Sequence, residues 1–282
     1  MSKWMRWSLA AALVVGLGIV SVGLAQDNAK ETTLQIEGST TVGPIMDAFV
    51  EAFGKARPEV KIALQKTGSG PGAAALIDGR CDIATLSRFM KPEEFKKAVD
   101  KGILPASHAI AMDGVCVIVH PSNPVAELTL AQVRDIYTGK VTNWKDLGGG
   151  DLPIVCISRD TSSGTYEVFE EKVMNKEKMT PGIEMVNGNP QAMARVSSTA
   201  GAVGYVGLGF VDDKVKALKI GGVTPSKKTV VDGSYPIARP LYMVTNDYPK
   251  MGSHLYRYIN LYLSKKGQTM IEEIGFIPVT SY

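Results

Sequence analysis

Cysteine is scarce in this chain and badly placed for chemistry. Cys81, Cys116 and Cys156 are the three in 282 residues, and no Cys-x-x-Cys spacing occurs. Three cannot all pair with one another, and Cys116 and Cys156 fall in apolar strand-like runs, where a free thiol behaves as a small hydrophobe. Histidine is as rare, with only His108, His120 and His254. So poor a ligand set argues against a metal centre, and no cofactor is expected. Catalytic signatures are missing as well. There is no Gly-x-Ser-x-Gly elbow, and Gly148-Gly149-Gly150 lacks the Lys-Ser/Thr of a phosphate cradle, leaving a surface loop. The chain has 31 basic and 28 acidic residues, a formal net charge of +3, and no long basic run. A nucleic-acid surface is therefore not indicated, and any positive charge that matters is local.

What is present starts with a leader. Lys3 and Arg6 precede an uninterrupted apolar and small-residue run from Leu9 to Val20, followed by Gly23-Leu24-Ala25. This is the pattern of a secretory signal peptide over residues 1–25, cleaved after Ala25. No cysteine follows the run, so lipid anchoring is not supported. The chain is long enough for two modest domains, or one large one, each able to bury a real core.

Along that length one device recurs: a strand, a hydroxyl-rich turn, then a helix. Thr33 to Ile36 alternates as a strand and breaks at Glu37-Gly38-Ser39-Thr40-Thr41, with Pro44 in the first turn of a helix through Ala56. Val60 to Leu64 ends in Lys66-Thr67-Gly68-Ser69-Gly70 before a helix from Ala73 to Asp78. Ile154 to Ile157 ends in Arg159-Asp160-Thr161-Ser162-Ser163-Gly164-Thr165 before a helix from Tyr166 to Met174. Hydroxyls, close-approaching glycine and the free N–H groups of a first helical turn make an anion pocket, and Arg159 adds a charged fork suited to a tetrahedral oxyanion. Gly68-x-Gly70-x-x-Ala73 is a permissive dinucleotide fingerprint, but its helix is short and no acidic residue follows at the required distance.

Other elements follow by the same periodicities. Strands are expected at Ile83 to Leu86, Ser107 to Ala111, Val115 to His120, Ala202 to Val206 and Leu241 to Thr245, with Met112-Asp113-Gly114 a crossover between domains. Helices are expected at Glu93 to Lys101, Leu130 to Tyr137, Gln191 to Ser197 and, as one long terminal element, Ser253 to Glu273, with Leu255, Tyr258, Ile259, Tyr262 and Leu263 as an apolar stripe on one side. Trp144 falls in a polar loop, and Lys214 to Ser234 reads as strands and turns. The alternation predicts an α/β protein with largely parallel sheets.

Five segments in order, Gly38-Ser39-Thr40-Thr41 with Pro44, Thr67-Gly68-Ser69-Gly70, Asp82-Ile83-Ala84 ending in Ser87-Arg88, the Arg159 to Thr165 turn, and Gly201 to Tyr205, resemble the phosphate-binding proteins of bacterial ABC transporters. The resemblance covers nearly the whole chain after the leader. It implies a two-lobed type II periplasmic-binding-protein fold, each lobe a mixed, largely parallel sheet flanked by helices. The lobes would be residues 26–113 with 237–282, and 114–236. It implies a monomeric extracytoplasmic receptor that closes on inorganic phosphate and delivers it to permease subunits. Carried over by position, Thr40, Thr41, Ser69, Arg159, Ser163, Gly164 and Thr165 contact the ligand, with Ser39 supplying a further hydroxyl.

Two positions depart from the longer members. Where they carry an aspartate that accepts the proton of hydrogen phosphate, this chain has Ser87 followed by Arg88, as shorter members do, and the resemblance makes both candidate ligand residues. Where they carry an acidic residue two places after the turn arginine, it has Thr161. Asp160 is then the candidate to accept that proton or to orient Arg159, with Glu37 and Asp82 next. Two alternatives stay open: a receptor for another oxyanion such as sulfate or molybdate, and an exported hydrolase of phosphate esters, for which the catalytic groups are missing.

Overall fold

A computed structural model of the protein describes residues 32–280. The leader and its cleavage site lie outside the described residues. Among the described residues, no helix is long and apolar enough to cross a membrane.

The first half of the chain builds β1 (Thr32–Gly38), α1 (Gly43–Ala56), β2 (Val60–Gln65), α2 (Ser69–Ile77), β3 (Ile83–Leu86), α3 (Pro92–Asp100) and β4 (Pro105–Val119). It continues with β5 (Glu127–Leu128), α4 (Leu130–Tyr137), β6 (Val155–Arg159), α5 (Gly164–Lys172), β7 (Glu184–Val186), α6 (Asn189–Ser197) and β8 (Ala202–Gly207). The last stretch holds β9 (Lys216–Ala217), β10 (Lys219–Ile220), α7 (Lys227–Val231), β11 (Ala238–Asn246), α8 (His254–Ile259), α9 (Lys265–Glu273) and β12 (Ile277–Pro278).

The main sheet runs β2-β1-β3-β11-β4-β8-β6-β7. Its two flanks are parallel, β1 with β2 and β3, and β6 with β7 and β8, as strand-helix-strand connections require. Its centre is antiparallel, because β11 pairs with β3 and β4, and β4 pairs with β8. The residues of β4 up to Gly114 pair with β11 and those from Val115 pair with β8, so one strand serves both halves.

The apolar core divides along the same line. Leu34, Ile36, Phe49, Phe53, Leu241, Met243, Tyr258 and Ile271 pack in one cluster. Val115, Val117, Val133, Tyr137, Phe169, Tyr205 and Ile237 pack in another. Ile45, Phe49 and Phe53 of α1, spaced for one helical face, are all buried.

Four expectations need correction. The region around Asp113 does not interrupt a strand: β4 is continuous for 15 residues, because Asp113 is paired inside the sheet with Arg239. The terminal helix is three pieces, with a 3-10 turn at Asn260–Leu263 and a fresh start at α9, where Ser264 Oγ accepts the Gly267 N–H at 3.0 Å. Leu263 of the expected apolar stripe is exposed. Trp144 is buried, its Nε1–H donating to the Gly201 carbonyl at 2.9 Å, and α7 forms where only strands and turns were expected.

Candidate ligand-binding site

The three hydroxyl-rich turns meet at the N-terminal ends of α1, α2 and α5, and two glycines let them touch. Gly68 has φ +111, and a Cβ on it would lie 2.8 Å from Ser162 Oγ and 2.9 Å from the Ser162 carbonyl oxygen. Its neighbour Gly70 donates its N–H to that carbonyl at 3.1 Å. Gly164 lies against the second turn in the same way: a Cβ there would come within 2.7 Å of Ser87 Oγ and closer still to Ser69 Oγ. Side chains at 68 or 164 would therefore hold the turns apart.

Each turn is fixed by one of its own hydroxyls. Ser39 Oγ accepts the N–H of Thr41 at 3.1 Å and of Val42 at 3.3 Å. Ser163 caps α5, accepting the N–H of Thr165 at 3.2 Å and of Tyr166 at 3.4 Å. Ser69 Oγ accepts the Ser87 N–H at 3.0 Å and lies 3.3 Å from Ser87 Oγ. The N–H groups of Thr41 and Thr165 are thus engaged by these caps. What Ser39 and Ser163 keep for a ligand is the proton of a hydroxyl whose oxygen already accepts.

Arg159 is the last residue of β6 and is only 1% exposed. Its Nη2 donates to Thr40 Oγ1 at 2.9 Å and to the Asn187 carbonyl at 3.2 Å. Nε and Nη1 are buried and have no acceptor among the described residues. Its backbone is held by Tyr205, whose Oη accepts the Arg159 N–H at 3.1 Å and lies 2.7 Å from Ser158 Oγ. Tyr205 in turn stacks on Phe169, with ring centroids 3.9 Å apart. Burial pulls the Arg159 guanidinium down to about 10, with Tyr205 and Asp160 opposing the fall and Arg239 adding to it. It therefore keeps its charge at neutral pH.

A buried cation with unused donors is costly, and such exceptions concentrate where a ligand completes the bonding.

Two of the sequence candidates are engaged elsewhere. Arg88 forks onto Glu94 (2.8 and 2.7 Å), donates to the Phe89 carbonyl at 2.8 Å and pairs through Nε with Glu167. Asp160 closes its own turn, its Oδ1 receiving the Ser162 N–H at 3.0 Å and the Ser162 hydroxyl. The next carboxylates are also occupied. Glu37 takes Thr67 Oγ1 at 3.0 Å, and Asp82 takes the Gln35 N–H at 2.7 Å. A surface cavity of about 830 Å³ borders Arg88, Glu167 and Arg239 but is not lined by the turn hydroxyls.

Three residues that sequence reasoning missed complete the arrangement. Arg239 donates through Nη1 to Thr165 Oγ1 at 2.9 Å and to the Ser87 carbonyl at 3.2 Å. Its other side is held by Asp113 Oδ2, 2.8 Å from Nη2 and 3.1 Å from Nε. Burial raises the Asp113 pKa, opposed by Arg239. Asn189 opens α6 and donates through Nδ2 to Thr41 Oγ1 at 3.0 Å, while its Oδ1 accepts the Gly207 N–H at 3.2 Å. Thr41 Oγ1 and Thr165 Oγ1 lie 3.0 Å apart. The available signals were an isolated charge in an apolar run for Asp113 and a helix-start Asn-Pro for Asn189.

A constellation of capped turns, unused guanidinium donors and hydroxyls has the chemistry of an oxyanion receptor, and the comparisons agree. The family model for the PBP superfamily domain matches residues 24–266. The phosphate-binding protein PstS of Staphylococcus saprophyticus is 35% identical over 96% of this chain and 90% of its own. The chain belongs to the PstS family of the PBP superfamily. A substrate-binding protein from Clostridium perfringens, solved with bound phosphate, is 37% identical with a TM-score of 0.81, covering 88% of this chain and 100% of that one. An ABC-type phosphate transport receptor from Vibrio cholerae is 31% identical with a TM-score of 0.73, over 86% of this chain and 99% of that one. The α/β architecture with its mixed sheet is the type II periplasmic-binding-protein fold of this PstS family.

Proposed function

We propose that the protein is a binding protein, not an enzyme, which captures inorganic phosphate and delivers it to the permease subunits of an ABC transporter. The observation that carries this reading is Arg159: a buried, charged guanidinium with Nε–H and Nη1–H unused, its Nη2 on the Thr40 hydroxyl where the hydroxyl-rich turns meet. An oxyanion leaving water needs many donors at once, and this site concentrates them.

The proposed contacts are Thr40, Thr41, Ser69, Arg159, Ser163, Gly164 and Thr165, with hydroxyl protons from Ser39 and Ser87 completing the shell. Arg88 and Asp160 act in this reading as ion-pair and turn-closing residues. The lobes are residues 26–113 with 237–282, and 114–236. The separate apolar clusters, Ile237 and Ile277 excepted, and the shared strand β4 support that division. Export by cleavage after Ala25, giving a soluble periplasmic monomer, completes the account.

A receptor for another tetrahedral oxyanion is the second reading, favoured by one observation: Asp160, Glu37 and Asp82 are all occupied within the protein. Titration of the purified protein with inorganic phosphate, followed by small-angle scattering, tests the first reading. Saturable binding with a more compact scattering curve is expected. Heat-silent titration, or identical curves with and without saturating phosphate, would count against it.

A further inference from the structure

The hydroxyls of Thr41 and Thr165 form a pair whose hydrogen directions are dictated from outside. Arg239 carries only donors, so Thr165 Oγ1 must accept from its Nη1. The Asn189 amide is oriented by the Gly207 N–H on its Oδ1, which turns Nδ2 toward Thr41 and makes Thr41 Oγ1 accept as well. Each hydroxyl brings one proton and two lone pairs. One proton and one lone pair are used in the 3.0 Å bond between the two oxygens. Asn189 and Arg239 each fill one more lone pair. The pair is left with a single proton and a single lone pair for the site.

Resting on the phosphate reading above, we propose that Asn189, together with Arg239, is a positioning residue. By filling lone pairs on Thr41 and Thr165, it makes the hydroxyl pair complementary to an oxyanion that carries one proton. Monohydrogen phosphate offers charged oxygens to the free hydroxyl proton and a P–OH to the remaining lone pair. Sulfate has no proton to give. Proton recognition then falls to a hydroxyl oxygen, which is consistent with Asp113 being held by Arg239 and Asp160 Oδ1 by Ser162.

Losing the Asn189 amide would expose a second lone pair to the anion. A more highly protonated ligand can satisfy that lone pair, whereas an unprotonated one is repelled by it. Calorimetric titrations with inorganic phosphate, below and above its neutral-range titration, and with sulfate, would compare wild type, Asn189→Ala, Thr41→Val and the double variant. Asn189→Ala should weaken phosphate by about tenfold on the alkaline side and distinctly less on the acid side, the scale of one hydrogen bond. Sulfate should lose at least as much as alkaline phosphate. In the Thr41→Val background, Asn189→Ala should add no pH tilt, because the hydroxyl it serves is gone. A merely structural role for Asn189 would weaken binding equally at both pH values. That result, or a tilt persisting without Thr41, would overturn the inference while wild-type phosphate binding stands. Absence of phosphate binding by the wild type would overturn the functional reading and this inference with it.

Discussion

Asp113 and Arg239 form an ion pair inside the sheet, with Oδ2 2.8 Å from Nη2, and side chains 0% and 2% exposed. Asp113 belongs to β4 and Arg239 to β11, the neighbouring strands at the centre of the sheet. The same guanidinium reaches the Ser87 carbonyl and Thr165 Oγ1, so it links the central strands to two of the hydroxyl-rich segments.

Breaking this pair leaves an uncompensated charge in a site without solvent. Asp113→Asn is expected to destabilise the protein by about 3–5 kcal/mol in urea unfolding. Replacing both partners by apolar residues, Asp113→Leu with Arg239→Met, should recover most of that loss, because neither charge is then left buried. A single-variant loss below about 1 kcal/mol would show the pair to be unimportant.

Arg159→Met separates affinity from stability. It removes a buried cation with two unused donors, so the ligand-free protein should melt at the same temperature or higher. Phosphate affinity should fall by roughly tenfold to a hundredfold, the scale of hydrogen bonds to a charged group. Calorimetry and thermal melting on the same samples check both statements. A drop in melting temperature with affinity intact would assign Arg159 to the fold alone.

Gly164→Ala probes the approach of two turns. Its new Cβ would lie within 2.7 Å of Ser87 Oγ and nearer to Ser69 Oγ, so the α5 turn must retreat from both. The expected result is phosphate affinity reduced at least about tenfold, corresponding to one lost hydrogen bond or more. Binding within a factor of about two of wild type would show that the turns yield easily.

Asp160→Asn tests the carboxylate that the sequence pointed to. In the structure its Oδ1 is taken by the Ser162 N–H and hydroxyl, and an asparagine oxygen can accept both. The ratio of phosphate to sulfate affinity is therefore expected to stay within a factor of about three. A collapse of that ratio would restore Asp160 as the acceptor of the ligand's proton.

Much of this was legible in the sequence because local chemistry carried it. Ser39, Ser69, Ser163 and Arg159 sit where a strand gives way to a helix. That transition is set by alternation, by glycine, and by hydroxyls that cap free N–H groups. Leu130–Tyr137 was legible to the residue, since Thr129 and Gln132 form a capping box on an amphipathic run. Asp113 and Arg239 were not, because they meet across 126 residues, and no local pattern announces a partner that far away. The same holds for Asn189 with Thr41, 148 residues apart. Arg88 shows the reverse: beside Ser87 it resembles a ligand residue, and its pairing with Glu94 and Glu167 becomes visible only once α3 and α5 pack.

The proposed site is one that holds phosphate in preference to other tetrahedral oxyanions. The most direct measurement is a parallel calorimetric titration of the purified protein with inorganic phosphate, sulfate and molybdate at neutral pH. Phosphate is expected to bind at least about a hundredfold more tightly than either competitor, as for a site that pairs with a ligand proton. Sulfate or molybdate binding as tightly as phosphate would contradict the account.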